Sequence, residues 1–166
     1  MRPSLPDRDW ESLGAEEVVA AMLEAFPGRV ALACSFQKEE TVLLDLLYGV
    51  EPKARVFAID THHLFPETYA YWRDVERRYG TTIEVFAGPP VEDGLWDAKH
   101  ELWKANPLAD WSDDDCWAYI RERDLPYSKL HDQGYESIGD THSTQPGKGR
   151  EGRWAGTERT ECGLHT

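Results

Sequence analysis

The chain has few cysteines and no long apolar run. Three of its 166 residues are cysteines, Cys34, Cys116 and Cys162, and no two of them have CxxC spacing. This pattern argues against a disulfide framework, a zinc ribbon and a cysteine-ligated iron–sulfur cluster. No stretch approaches the roughly eighteen apolar residues of a membrane span, and the first ten residues have no apolar signal region. We therefore expect a cytoplasmic protein.

Positive charge is also scarce. The chain has 18 lysines and arginines against 31 acidic residues, a formal net charge of −13. Because phosphate backbones are held by basic surfaces, nonspecific nucleic-acid binding is not expected. One glycine-spaced basic cluster, Lys148, Arg150 and Arg153, could still bind a small anion, or it could be a solvated loop. The length and a hydrophobic content of 40% suit one domain with a real core.

Short apolar runs alternate with helical patterns along the first half of the chain. Periodicity predicts helices over 16–26 and 41–47 and from Pro66 to Gly80, with strands over 29–34, 54–60 and 81–86. Such alternation predicts an α/β fold whose parallel sheet is buried between helices. Ligands of such sheets bind at the carboxyl ends of the strands. Ser35 and Asp60 both lie there.

The second half of the chain has one further helix and then a glycine-rich segment. Ser112 is predicted to cap a helix, and the three aspartates that follow it fit capping better than metal binding. We divide the chain into an α/β region over 1–134 and a loop and tail over 135–166. Cys34 and Cys116 are expected to be structural. Cys162 lies on the polar tail, where a thiol is more plausibly a reactant than part of a core.

Five runs of sequence carry a resemblance to a known family. They are residues 33–43 (ACSFQKEETVL), 59–69 (IDTHHLFPETY), 106–111 (NPLADW), 130–144 (LHDQGYESIGDTHST) and 161–165 (ECGLH). Together they resemble the assimilatory sulfonucleotide reductases, which act on phosphoadenylyl sulfate (PAPS) or adenylyl sulfate (APS). The resemblance implies an adenine nucleotide α-hydrolase-like fold, related to the ATP pyrophosphatases. The loop after the first strand lacks their SGGxDS form, which weakens an ATP-splitting function.

The resemblance also implies the members of an active site. Cys162 matches the nucleophile and His165 its companion. The residues that match substrate-binding positions come from the loop after the first strand, the end of the second strand and the basic loop: Ser35, Phe36, Gln37, Lys38, Asp60, Thr61, Arg150 and Arg153. Guanidinium groups suit the phosphate and sulfate oxygens that the two arginines would face.

The implied reaction makes sulfite. Thiolate attack by Cys162 on the sulfonate sulfur would give an S-sulfocysteine, and thioredoxin or glutaredoxin would release sulfite, since no second cysteine accompanies Cys162. Residues 140–144 (DTHST) stand where cluster-binding APS reductases have a CxxC, so no iron–sulfur cluster is expected and PAPS is favoured. A cluster-free APS reductase remains the alternative. The resemblance also makes a homodimer plausible.

One part of the family pattern is missing. Between the third strand and Asn106, the family has a longer segment that supplies a lysine and an arginine to the site, and this segment is absent near 94–99. Either the sequence omits this segment or it has been deleted. The sheet would otherwise lack a strand and its crossover, which favours omission. A real deletion would support another alternative, an inactive nucleotide-binding relative.

Overall fold

The computed structural model describes residues 7–87 and 105–153. Helices and strands alternate through its first part, as the sequence predicts. In chain order the elements are α1 (Ala15–Ala25), β1 (Ala31–Ala33), α2 (Lys38–Val50), β2 (Arg55–Asp60), α3 (Pro66–Tyr79), β3 (Glu84–Ala87) and α4 (Asp113–Glu122), with short 3-10 helices at Trp10–Ser12 and His131–Gln133. None of the helices in these two ranges has the length and apolar character needed to cross a bilayer.

The three strands form a parallel sheet in the order β1-β2-β3. Ala33 is in register with Phe57, and Ile59 with Phe86. Because the strands are parallel, their carboxyl ends lie at one edge, and the loops that follow β1 and β2 are neighbours there. The predicted α/β class with a parallel sheet is confirmed.

Local sequence signals set the ends of two helices. Pro66 opens α3, where a missing N–H costs nothing, and Gly80 closes it with φ 62°. Ser112 caps α4: its Oγ accepts a hydrogen bond from Asp115 N at 3.2 Å, while Asp115 Oδ2 accepts from Ser112 N at 2.8 Å. Ser112 Oγ also donates to Asp115 Oδ2 at 2.6 Å, and this hydrogen bond, followed by the one from Ser112 N, lowers the pKa of Asp115. The predicted capping role of Ser112 is confirmed.

The core lies between the sheet and the helices. α1 packs against α2, and α2 packs against α4. The buried side chains at the centre of this core include Val42, Leu44, Val56, Ala58 and Val75. They anchor α2 and β2, so the two loops at the sheet edge leave from firmly packed elements.

The prediction of fully buried strands was wrong for one face of the sheet. Val56 and Ala58 on β2 are buried, but Arg55 and Ile59, which alternate with them, are exposed. Ala31 and Ala33 on β1 are exposed as well. Alternate residues of a strand point to opposite faces, so the described core covers one face. An apolar run predicts a strand, but it does not show whether one or both faces of that strand are buried.

Candidate active site

The loop after β1 turns through a residue in a strained conformation. Phe36 has φ 63°, which is uncommon for a bulky residue and is tolerated only when packing enforces it. Its ring is buried, stacks on Trp72 at 4.8 Å and meets Tyr71 edge-on at 6.0 Å. Packing against α3 thus holds the turn, and Ser35 before it remains exposed. Phe36, which was predicted to bind substrate, packs into the core and holds the turn in place.

An internal carboxylate occupies the start of α2. Gln37 N donates to Glu40 Oε2 at 3.2 Å. Burial, with the charge of Glu39 adding to it, raises the pKa of the Glu40 carboxyl. The N-terminus of a helix favours negative charge, and Glu40 stands in the first turn of α2.

Lys38 is buried between two acids. Its Nζ lies 3.0 Å from Glu39 Oε1 and 3.3 Å from Asp113 Oδ1 on α4. Burial lowers the pKa of Lys38, but the hydrogen bonds and charges of the two carboxylates outweigh it and the pKa is raised overall. Asp113 was assigned only a capping role from the sequence. In the structure Lys38 therefore links α2 to α4, and a contact of Lys38 with substrate stays a prediction.

Asp60 closes β2 and is held by two donors. Its Oδ1 accepts hydrogen bonds from Tyr69 Oη at 2.7 Å and from His62 N at 2.8 Å. Burial and the hydrogen bond with Asp60 raise the pKa of Tyr69 to about 12. His62, at φ 62°, repeats in this loop the positive φ that Phe36 shows in the first. The sequence analysis did not assign Tyr69 to the candidate site.

The loop after β2 is joined to residues 138–142. Thr61 Oγ1 donates to Asp140 Oδ1 at 2.6 Å, and Thr141 N donates to His63 O at 2.8 Å. The rings of His63 and His142 meet edge-on at 4.9 Å. The two predicted positions Asp60 and Thr61 are thereby fixed next to the segment where the sequence shows no CxxC.

The two arginines of the basic loop have different surroundings. Arg150 is exposed. Arg153 is half-buried, and its Nη1 donates to Ile138 O at 3.0 Å and lies 3.4 Å from Ser137 Oγ. A Cβ on Gly139 would lie only 2.8 Å from Arg153 Nε, so the arginine needs a glycine there. Arg153 was predicted to face substrate oxygens, and the structure places part of its guanidinium on the protein backbone.

The two cysteines in the described residues are buried. Burial, helped by the charge of Glu40, raises the pKa of Cys34 well above its ordinary value. Burial, followed by the charge of Glu39, raises the pKa of Cys116 to about 11. Neither thiol is suited to attack at neutral pH, because the thiolate is the nucleophile. The structural roles predicted for both are supported, while Cys162 and His165 lie outside the described residues.

Parallel α/β sheets bind their ligands at the carboxyl ends of the strands, where the two loops with positive φ lie. The sequence profile of the phosphoadenosine phosphosulfate reductase domain matches residues 29–94 and 92–146. The chain belongs to this family of reductases. The predicted family and its oxidoreductase class are confirmed.

Individual relatives agree with the profile. The chain is 31% identical over 219 residues to a phosphoadenosine 5'-phosphosulfate reductase of Gloeobacter violaceus, covering 95% of this chain and 91% of the relative. It is also 31% identical over 224 residues to an adenosine 5'-phosphosulfate reductase of Oceanobacillus iheyensis, covering 97% and 93%. The phosphate complex of phosphoadenylyl-sulfate reductase from Candida auris superposes with a TM-score of 0.69 at 26% identity, over 82% of this chain and 93% of that one.

The alignments also bear on the middle of the chain. The two parts of the profile match meet at residues 92–94. The alignment to the Gloeobacter relative spans 219 residues, more than the 166 of the chain, so it includes residues of the relative with no counterpart here. The sequence analysis expects a missing family segment in the same region.

Proposed function

We propose that this chain reduces PAPS to sulfite and adenosine 3',5'-bisphosphate with Cys162 as the nucleophile. The burial of Cys34 and Cys116 is the observation that carries this assignment within the reductase family. Both thiols have raised pKa values, so neither supplies a thiolate at neutral pH. The third cysteine, Cys162, lies outside the described residues and is the one that the resemblance assigns as the nucleophile.

The first step forms an S–S bond. The Cys162 thiolate attacks the sulfonate sulfur of PAPS, and the bond from that sulfur to the bridging phosphate oxygen breaks. Adenosine 3',5'-bisphosphate leaves with the electron pair, and Cys162 becomes S-sulfocysteine. We assign His165 to favouring the thiolate or to contacting the sulfonate oxygens, as the resemblance implies.

The second step needs two electrons from a dithiol protein, thioredoxin or glutaredoxin. One of its thiolates attacks Cys162 Sγ, sulfite leaves, and a mixed disulfide forms. The second thiol of the partner then breaks this disulfide, which restores the Cys162 thiolate and oxidises the partner. We propose that the reaction takes place in the cytoplasm, and a homodimer remains a prediction.

We place the nucleotide along the edge of the sheet where β1 and β2 end. Ser35, Gln37, Lys38, Asp60 and Thr61 line or support this edge. Phe36 shapes its first loop, and the basic loop with Arg150 and Arg153 adds positive charge. An anion bound by Lys38 or Arg153 would compete with the contacts of Lys38 with Glu39 and Asp113 and of Arg153 with Ile138 O.

Reduction of APS is the second candidate. Relatives at 31% identity carry both names, so overall similarity favours neither nucleotide. The absence of cysteine from residues 140–144 favours PAPS, since cluster-binding APS reductases have a CxxC there. The two nucleotides differ by a single 3'-phosphate, so a direct comparison separates the candidates.

A sulfite assay with both nucleotides tests the proposal. Purified protein with reduced thioredoxin should produce sulfite faster from PAPS than from APS. Without thioredoxin, PAPS should add one SO3 group to the intact mass. Cys162→Ser should bind adenosine 3',5'-bisphosphate but should neither produce sulfite nor gain the SO3 mass.

Cys116→Ala is the matched control, because it removes a buried thiol and leaves Cys162 in place. It should keep sulfite production. Sulfite from Cys162→Ser would overturn the role of that residue, and faster turnover of APS would overturn the choice of PAPS. A protein that binds nucleotide but makes no sulfite from either would instead be the inactive relative.

A further inference from the structure

Gln37 is an unusual residue for the start of a helix. It holds the N-cap position of α2, where serine, threonine, aspartate and asparagine are preferred because their short side chains reach the first N–H groups. A choice that is locally poor and lies beside the strained Phe36 indicates a requirement from elsewhere in the fold. The contacts of the Gln37 side chain show what that requirement is.

The Gln37 amide connects the loop after β1 to a turn a hundred residues further on. Its Oε1 accepts hydrogen bonds from Ile138 N and from Ser137 Oγ, each at 3.2 Å. Its Nε2 donates to Ser35 Oγ, also at 3.2 Å. Ser137 and Ile138 are buried, so the two hydrogen bonds to Gln37 Oε1 are partly protected from water, whereas the one to Ser35 is exposed. The amide oxygen therefore contacts the turn at Ser137 and Ile138, and the amide nitrogen contacts the loop after β1.

Arg153 holds the same turn from the other side. Its Nη1 donates to Ile138 O at 3.0 Å and lies 3.4 Å from Ser137 Oγ. Ser35 is therefore connected through Gln37 and the turn at Ser137 and Ile138 to Arg153. Cys162 follows Arg153 by nine residues in the sequence. A displacement of this turn would move the point from which the tail begins.

We propose that Gln37 is a positioning residue: with Arg153 it holds the turn at Ser137 and Ile138, and thereby fixes the start of the Cys162 tail relative to the nucleotide edge. This inference rests on the proposed function. In this proposal Gln37 and Arg153 support the same turn, whereas the resemblance implies that each contacts the substrate separately. The two assignments predict different losses of activity when both residues are substituted together.

A double-mutant cycle separates the two assignments. Gln37→Met and Arg153→Met should each lower kcat about tenfold, since each removes hydrogen bonds to one turn, and the double variant should lose little more than the more affected single one. The dissociation constant of adenosine 3',5'-bisphosphate should change less than about twofold in Gln37→Met, because the nucleotide is not its partner. Gln133→Met, at an exposed glutamine, is the control and should match the wild type.

Losses that multiply in the double variant would overturn the proposal, and so would a large rise in that dissociation constant in Gln37→Met. A Gln37→Met variant with normal kcat would also overturn it. Multiplying losses or the raised dissociation constant would restore Gln37 and Arg153 as separate ligands of the substrate, whereas a normal kcat would leave Gln37 with neither role.

Hydrogen exchange at Ile138 gives a readout that does not need activity. The Ile138 amide should exchange about tenfold faster in Gln37→Met, and protection should return in Gln37→Glu, whose carboxylate keeps the acceptor. If the wild type makes no sulfite, the proposed function fails and the positioning role is judged on this exchange alone. Unchanged exchange in Gln37→Met would then overturn it.

Discussion

Thr61 and Asp140 are joined by a short hydrogen bond, from Thr61 Oγ1 to Asp140 Oδ1 at 2.6 Å, across 79 residues of sequence. Thr61 follows the last residue of β2, and Asp140 belongs to the glycine-rich second half of the chain. A backbone bridge between Leu64 and Asp140 runs alongside this hydrogen bond. The edge of the sheet is therefore closed on one side by the segment that leads to the tail.

Removing the Thr61 hydroxyl should weaken this closure. Thr61→Val keeps the shape of the side chain but leaves the Asp140 carboxylate without this donor. We expect the free energy of unfolding to fall by about 1.5 kcal/mol, since a hydrogen bond to a charged group is stronger than a neutral one. Urea denaturation measures the change. Thr61→Ser retains the hydroxyl and should lose much less; an equal loss in both variants would show that the hydrogen bond is not the cause.

Gly139 should not tolerate a methyl group. An alanine Cβ there would lie 2.8 Å from Arg153 Nε and 3.0 Å from Thr144 Oγ1. We expect Gly139→Ala to lower the free energy of unfolding by about 1–3 kcal/mol, because the half-buried arginine must move. Thermal and urea unfolding provide the measurement.

Gly49 offers a matched control for that change. A Cβ at Gly49, inside α2, would have no atom within 4 Å. Gly49→Ala should therefore raise the free energy of unfolding by up to about 1 kcal/mol, the usual preference of a helix for alanine. Equal effects of the two substitutions would mean that Arg153 does not constrain position 139.

The sequence predicts the local part of this architecture well. Alternating periodicity located the strands and helices, and the parallel sheet then placed Ser35 and Asp60 at one edge. Contacts between distant segments were not predictable in the same way. The sequence around Lys38 does not indicate that Asp113 is its partner, because this ion pair depends on how α2 packs against α4. The positive φ of Phe36 is also set by tertiary packing, because propensity argues against it.

The basic loop shows the same limit. Glycine spacing and charge identified Arg150 and Arg153 together, and the resemblance gave them one role. The structure separates them by burial: Arg150 is exposed, whereas Arg153 reaches Ile138 O. In the structure, Gly139 leaves room for the Arg153 guanidinium, so the surroundings of Arg153 depend on a residue far from it in sequence. A glycine followed fourteen residues later by an arginine carries no such signal in a single sequence.

The buried thiols should make the protein less stable in alkali. The pKa of Cys116 is raised from 9.0 to about 11 in the folded state, and that of Cys34 is raised further. Above pH 9 the unfolded chain releases these protons while the folded chain keeps them, so the free energy of unfolding falls as pH rises. The contribution of Cys116 is fully present below pH 9 and is lost as pH approaches about 11.

Urea unfolding between about pH 7 and pH 10, under reducing conditions, measures this slope. Cys116→Ala should flatten it, since each buried thiol contributes at most about 1.4 kcal/mol per pH unit over its window. Ile120→Val is the matched control: it trims another buried side chain of α4 and should lower stability about equally at every pH without changing the slope. Ile120→Val is expected to keep the wild-type slope. If Cys116→Ala kept it as well, the Cys116 thiol would ionise equally in the folded and unfolded states, which would contradict its burial.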